Sequence, residues 1–157
     1  MAASYNYRLD YQLTHDIDWF FKIKEVPFHV ASNGGLIPKM ILSQENFDIQ
    51  TEVYSIQQND NVEIVVREDD VKQHALANVP VNDIQEALES YTKTFKAMAK
   101  KGFVSLDRLS DDRYMVVAYP KDLKKDYGAQ YLLQNLKENA LSVGQIVNWK
   151  QCEGIEI

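Results

Sequence analysis

NDIQEALESYTKTFKAMAKKGFVSLDRLSDDRYMVVAYP, residues 82–120, is the stretch that decides the fold. Its first half predicts a helix from about Asn82 to Lys101. Ile84, Leu88, Tyr91, Phe95 and Met98 recur at the three-to-four spacing of one buried stripe. Asn82 suits an N-cap, and Gly102 suits the position just past the helix, where a left-handed residue ends it. Asp83, Glu86 and Glu89 lie early while Lys93, Lys96, Lys100 and Lys101 lie late, which complements the helix dipole. The second half predicts a hairpin, with Phe103 to Leu109 and Tyr114 to Tyr119 flanking the turn Ser110-Asp111-Asp112-Arg113 and Pro120 ending it.

Working outward toward the N-terminus, Val62 to Arg67 predicts a strand, and residues 68–81 a polar connection with one helical turn around Val71 to Leu76. Residues 44–57 fit both periods. Helix is favoured, because the span is long for a strand and Asn46 can cap it. Leu36 to Leu42 is an apolar stretch bent by Pro38. Before it, Trp19, Phe21 and Ile23 share one face of a strand, with Asp18, Phe20 and Lys22 on the other. Phe28 and Val30 continue as a second strand, giving a hairpin about Lys24-Glu25. Toward the C-terminus, Ala129, Leu132, Leu133, Leu136 and Ala140 predict a helix over about 126–140. Val143 to Trp149 predicts a last strand, which Ile155 and Ile157 prolong.

Hairpins demand antiparallel pairing, and each helix is apolar on one stripe. Both hold in an α+β fold: a two-layer sandwich of about five or six mostly antiparallel strands, with two or three helices on one face. The 157 residues suit a single domain spanning 1–157, with 1–14 expected to be poorly ordered. Apolar residues at 45% and charged ones at 25% match ordinary globular domains, so a folded core is expected throughout the rest.

A net charge of −6 repels phosphate backbones, which disfavours nucleic acid as a partner. The basic clusters Lys93–Lys101 and Lys121, Lys124, Lys125 are not interleaved with the aromatics that a single-strand binder needs. No run reaches the roughly 18–20 apolar residues that span a bilayer, and the first fifteen residues lack a signal peptide's apolar core. The one cysteine, Cys152, can form no internal disulfide and has no evident base beside it. A cytoplasmic location is therefore expected.

The stretch with the most chemical potential is His15-Asp16-Ile17-Asp18, followed by Ser32-Asn33-Gly34-Gly35. Two carboxylates with a neighbouring imidazole are the groups that hold a divalent ion or move a proton. In a strand, Asp16 and Asp18 share one side about 7 Å apart, while His15 points to the other. The Ser32–Gly35 turn offers consecutive N–H groups of the kind that cradle anions, but matches neither GxxxxGK[ST] nor GxGxxG. His29 lies in an apolar strand, where a hydrogen-bonded core histidine outweighs a ligand. Three scattered histidines and one cysteine are a poor supply for a transition metal, so neither metal nor other cofactor is expected.

Lacking a catalytic constellation, and with nine Tyr and two Trp, the chain is expected to be a non-catalytic binding or protein-interaction module. Its expected partner is another protein or a second copy. The alternative is a small metal-dependent or general acid/base hydrolase centred on Asp16, Asp18 and the 32–35 loop.

Overall fold

β-Branched and aromatic runs pair where the pattern placed them. The computed structural model describes residues 8–23, 26–35, 44–110, 113–121 and 146–148. Strands β1 (Asp18–Ile23) and β2 (Val26–Ala31) form the first hairpin, with Asp18 opposite Ala31 and Phe20 opposite His29. Strands β4 (Val104–Ser110) and β5 (Arg113–Pro120) form the second. β3 (Ile64–Val66) pairs antiparallel with the second half of β5, and β6 (Ile146–Asn148) with the first. The sheet order is β1-β2-β4-β5-β3, and β6 also joins β5. One pairing departs from the antiparallel rule: β2 runs parallel to β4, with His29 beside Ser105 and Ala31 beside Asp107.

Among the described residues, four helices accompany the sheet: α1 (Leu9–Thr14), α2 (Gln44–Ser55), α3 (Glu68–His74) and α4 (Ile84–Lys100). The fold is α+β, as its periodicities implied. α1 stands within the segment expected to be poorly ordered, and six residues are too few for a periodic signal. The 36–42 stretch, the 126–140 helix, Cys152, and the flanks of β6 lie outside the described residues.

α4 buries its predicted stripe. Leu88, Phe95 and Ala99 pack with Val71 and Leu76 against Ala31, Met115, Val117 and Ala118 of the sheet. A second cluster joins Met98 to Phe20, Val53 and Phe103, which seats α2 beside β1. The buried Thr92 hydroxyl donates to the Leu88 carbonyl at 2.7 Å, so this polar group costs the core little. The opposite face of the sheet is buried too, through Trp19, Phe28, Val30, Val104, Leu106, Tyr114 and Val116. That explains why β5 reads as an unbroken apolar run: both of its faces are covered.

The ends of α4 differ in one respect from expectation. Asn82 is not the cap. A 3-10 turn, Val81–Asp83, precedes the helix, and Asp83 N–H donates to the Pro80 carbonyl at 2.9 Å. Pro80 fixes the entry, and backbone bonds do what the Asn82 side chain was expected to do. The C-terminus does end on Gly102, at φ +101°, with Phe103 N–H closing onto the Met98 carbonyl at 3.1 Å.

Leu88→Ala should destabilise the protein by ~2–5 kcal/mol, as large-to-small changes in packed cores do. Chemical denaturation checks this. A loss under about 0.5 kcal/mol would mark a surface position instead.

Candidate functional site

Period-2 alternation sends Asp18 and Phe20 of β1, His29 of β2, and Ser105 and Asp107 of β4 to the face that α4 covers. Polar residues therefore enter an otherwise apolar layer, and each must find a partner there. His29 and Ser105 are 0% exposed. The imidazole bridges two strands: Nε2 lies 2.7 Å from Asp18 Oδ1 and Nδ1 lies 2.5 Å from Ser105 Oγ. An ionised carboxylate can only accept, so Nε2 donates to Asp18, while the direction of the Nδ1–Ser105 Oγ bond is set by the protonation of the ring.

Asp18 also reaches α2. Its Oδ2 accepts from the Tyr54 hydroxyl at 2.6 Å, and its backbone carbonyl accepts from the Gln50 amide. Burial alone would raise the Asp18 carboxyl. The hydrogen bond and charge of His29, with the Tyr54 hydroxyl, outweigh it and hold the group below its usual range.

A second polar group sits beside this chain. Asp107 is 5% exposed, and the Tyr91 hydroxyl of α4 donates to its Oδ2. Burial, with the charge of Asp16, pushes its carboxyl up to about 6 against the pull of Tyr91 and the Arg108 backbone. Burial and the Asp107 charge in turn push the Tyr91 phenol well above its ordinary range.

Asp16 and the turn form a third knot. Asp16 Oδ1 accepts the Asn33 N–H at 2.9 Å. Gly34 N–H donates to the His15 carbonyl at 3.2 Å, and Gly35 N–H to the Ser32 carbonyl at 2.8 Å. Ser32 Oγ accepts from the Ile17 N–H at 2.7 Å. Asn33 and Gly34 take left-handed values, φ 47° and 71°, which Asn and Gly accept at little cost. The three N–H groups proposed for an anion are thus engaged within the protein, and the turn pins the entry to β1. Arg108 clamps it from the other side, with Nε 2.8 Å from the Ser32 carbonyl and the Asn33 amide 3.1 Å from the Arg108 carbonyl.

The structure therefore joins Asp16 to Asn33, and Asp18 to His29. It does not join His15 to either acid: that ring stacks on Tyr11 at 3.8 Å and bonds the Thr14 hydroxyl at 2.9 Å. Ser105, Asp107, Tyr91, Tyr54 and Arg108 were not singled out from sequence. A signal existed for two of them, since Ser105 and Asp107 are the polar members of an alternation with Val104 and Leu106. Among the described residues, no group of three or more His, Cys, Asp or Glu is placed to hold a metal ion. No helix among them is long and apolar enough to cross a membrane. Comparison with protein-family models, with curated proteins and with solved structures yields no match.

Carboxylate, imidazole and hydroxyl in line are the parts of a nucleophilic triad. Here the hydroxyl is sealed inside a sheet, and the arrangement ties β1, β2, β4 and α2 together.

Two predictions follow from this geometry. Asp18→Ala should cost roughly 2–3 kcal/mol at pH 7, because a charged acceptor of two bonds is lost. The folded carboxyl is held below 3.8, so this stabilisation is present above that value and fades as pH falls through the folded pKa. The gap in stability between variant and parent should therefore narrow in acid, and a gap that does not narrow as pH falls below 3.8 would contradict the assignment. Separately, a Cβ on Gly35 would lie 1.8 Å from Arg108 Nε. Gly35→Ala must displace that clamp, so it should be destabilising alone and nearly neutral in an Arg108→Ala background. Thermal unfolding of the four proteins in the cycle measures this coupling.

Proposed function

We propose that the chain is a non-catalytic binding or protein-interaction module acting in the cytoplasm, with a protein partner or a second copy of itself. One observation carries the reading. The polar residues that resemble catalytic machinery are turned inward and bonded to one another, and the potential nucleophile Ser105 has no exposed surface. A group that must meet a substrate needs an approach, and this one serves the fold.

Apolar exposure supplies the binding side of the reading. Leu9 and Leu13, one helical turn apart on α1, are 61% and 53% exposed, and Tyr11 and Tyr54 are exposed as well. A leucine pair of this kind, beside tyrosines that present an apolar ring with a polar tip, suits contact with another protein. The acidic charge keeps nucleic acid a poor partner.

A second reading, the small hydrolase, draws on a different observation. Asp107 is a buried carboxyl held near 6 beside Asp16, and groups tuned toward neutral pH are enriched where protons are transferred. On that reading Asp107 joins Asp16 and Asp18 as the acid/base set.

Two measurements separate these readings. Light scattering over a dilution series should show association that survives high salt, since apolar contact holds it. It should be lost in Leu9→Ser/Leu13→Ser. A self-dimer of this type buries on the order of 1,200–2,000 Å² in total. A strict monomer that also recovers no partner through α1 removes the interaction reading. Turnover of ester and phosphoester substrates should be absent, and turnover that Asp107→Asn abolishes would overturn the non-catalytic assignment in favour of the hydrolase.

A further inference from the structure

We propose that Asn33 is a self-modifying site: the Gly34 nitrogen displaces its side-chain amide, and the aspartate or isoaspartate that results unfastens the 32–35 turn from α1 and β4. Asn33-Gly34 is the one Asn-Gly pair in the chain. The pairing matters because the attacking nitrogen must reach the asparagine Cγ, and glycine puts no Cβ in the way. Asn33 is exposed, so water has access to it.

The chemistry needs only water. The Gly34 nitrogen loses its proton to solvent and bonds to Asn33 Cγ. The Cγ–Nδ2 bond breaks, ammonia leaves and a five-membered imide closes. Water then opens the imide at one of its two carbonyls. Attack at Cγ gives aspartate on the original backbone. Attack at the α-carbonyl gives isoaspartate, whose main chain runs through the side chain. Nothing is oxidised or reduced.

The fold sets when this can happen. The Gly34 N–H is held by the His15 carbonyl at 3.2 Å, and the Asn33 amide by the Arg108 carbonyl at 3.1 Å. Both bonds must open before nitrogen and Cγ can meet. Two such bonds should slow the folded chain about tenfold relative to an unfolded one.

The same contacts fix the consequence. A carboxylate at position 33 has no hydrogen to give the Arg108 carbonyl. It also adds a second charge beside Asp16, whose Oδ1 already accepts the Asn33 N–H at 2.9 Å. If the Arg108 guanidinium turns to the new charge, it leaves the Ser32 and Asn33 carbonyls that it now holds. Either way the clamp is undone. Isoaspartate goes further, because its longer main chain carries Gly34 N–H off the His15 carbonyl. That bond ties the turn to the residue directly after α1. The modification stands whether or not α1 binds a partner.

The test incubates the full chain in mildly alkaline buffer, folded and in urea, and follows each asparagine by peptide mapping with isoaspartate detection. Asn33 should convert first in both, about tenfold more slowly when folded. Arg108→Ala, which frees the Ser32 and Asn33 carbonyls, should speed the folded reaction toward the urea rate. Amide hydrogen exchange then reads the consequence. Asn33→Asp should lose protection at Ser32 and Gly34, and more so than Asn33→Ala, which removes the donor without adding a charge. Should a variant not fold, the same amides are read on the parent chain before and after its own conversion. Another asparagine converting first, or equal rates folded and in urea, overturns the site and its control by the fold. Full protection at Gly34 after conversion overturns the release of the turn.

Discussion

A buried imidazole must be satisfied at both nitrogens, and the rest of this structure depends on how His29 meets that constraint. Its two bonds, at 2.7 Å to Asp18 and 2.5 Å to Ser105, cross from β1 through β2 to β4. Among the described residues, β2 and β4 form the single parallel pairing, where no tight turn can set the register. Slipping that pairing by one residue would turn Ser105 to the other face and leave Nδ1 without its partner in an apolar layer. Apolar contacts tolerate such slips far better. The chain Asp18–His29–Ser105 thus supplies specificity that the surrounding Phe20, Phe95 and Phe103 cannot. Through Tyr54 and Gln50 the same carboxylate also fixes α2 on β1.

What was legible in the sequence was whatever repeats at a fixed period. The stripe of α4, the alternation of β1 and the left-handed Asn33-Gly34 turn each announce themselves within a few residues, because local geometry alone requires them. The 44–57 segment, which fits two periods, came out as helix. The polar centre was far less legible. His29 could be read as a hydrogen-bonded core residue, but its partners are 11 and 76 positions away. The link to Ser105 exists only through the parallel pairing of β2 with β4, which no pattern in either strand encodes. Asp107 and Tyr91 meet for the same reason, across a helix and a strand that only the tertiary fold brings together. The acids that did stand out, Asp16 and Asp18, share a segment but serve different knots.

Half-buried Asp18 and buried Asp107 show opposite solutions to one problem. Asp18 keeps its charge because an imidazole and a phenol face it, and its pKa falls. Asp107 has a phenol, one backbone donor and a neighbouring acid, and its pKa rises to about 6. Charge is stabilised where it ties β1 to β2 and α2, and poorly tolerated under α4.

The central claim is that carboxylate, imidazole and hydroxyl act as one structural unit. The most direct test is a double-mutant cycle between Asp18→Ala and Ser105→Ala, two residues joined through the His29 ring. Equilibrium denaturation at pH 7 should give an interaction energy above about 0.5 kcal/mol, because either change alone already breaks the chain. Additivity within about 0.3 kcal/mol would show that the two bonds are independent, and would contradict the account.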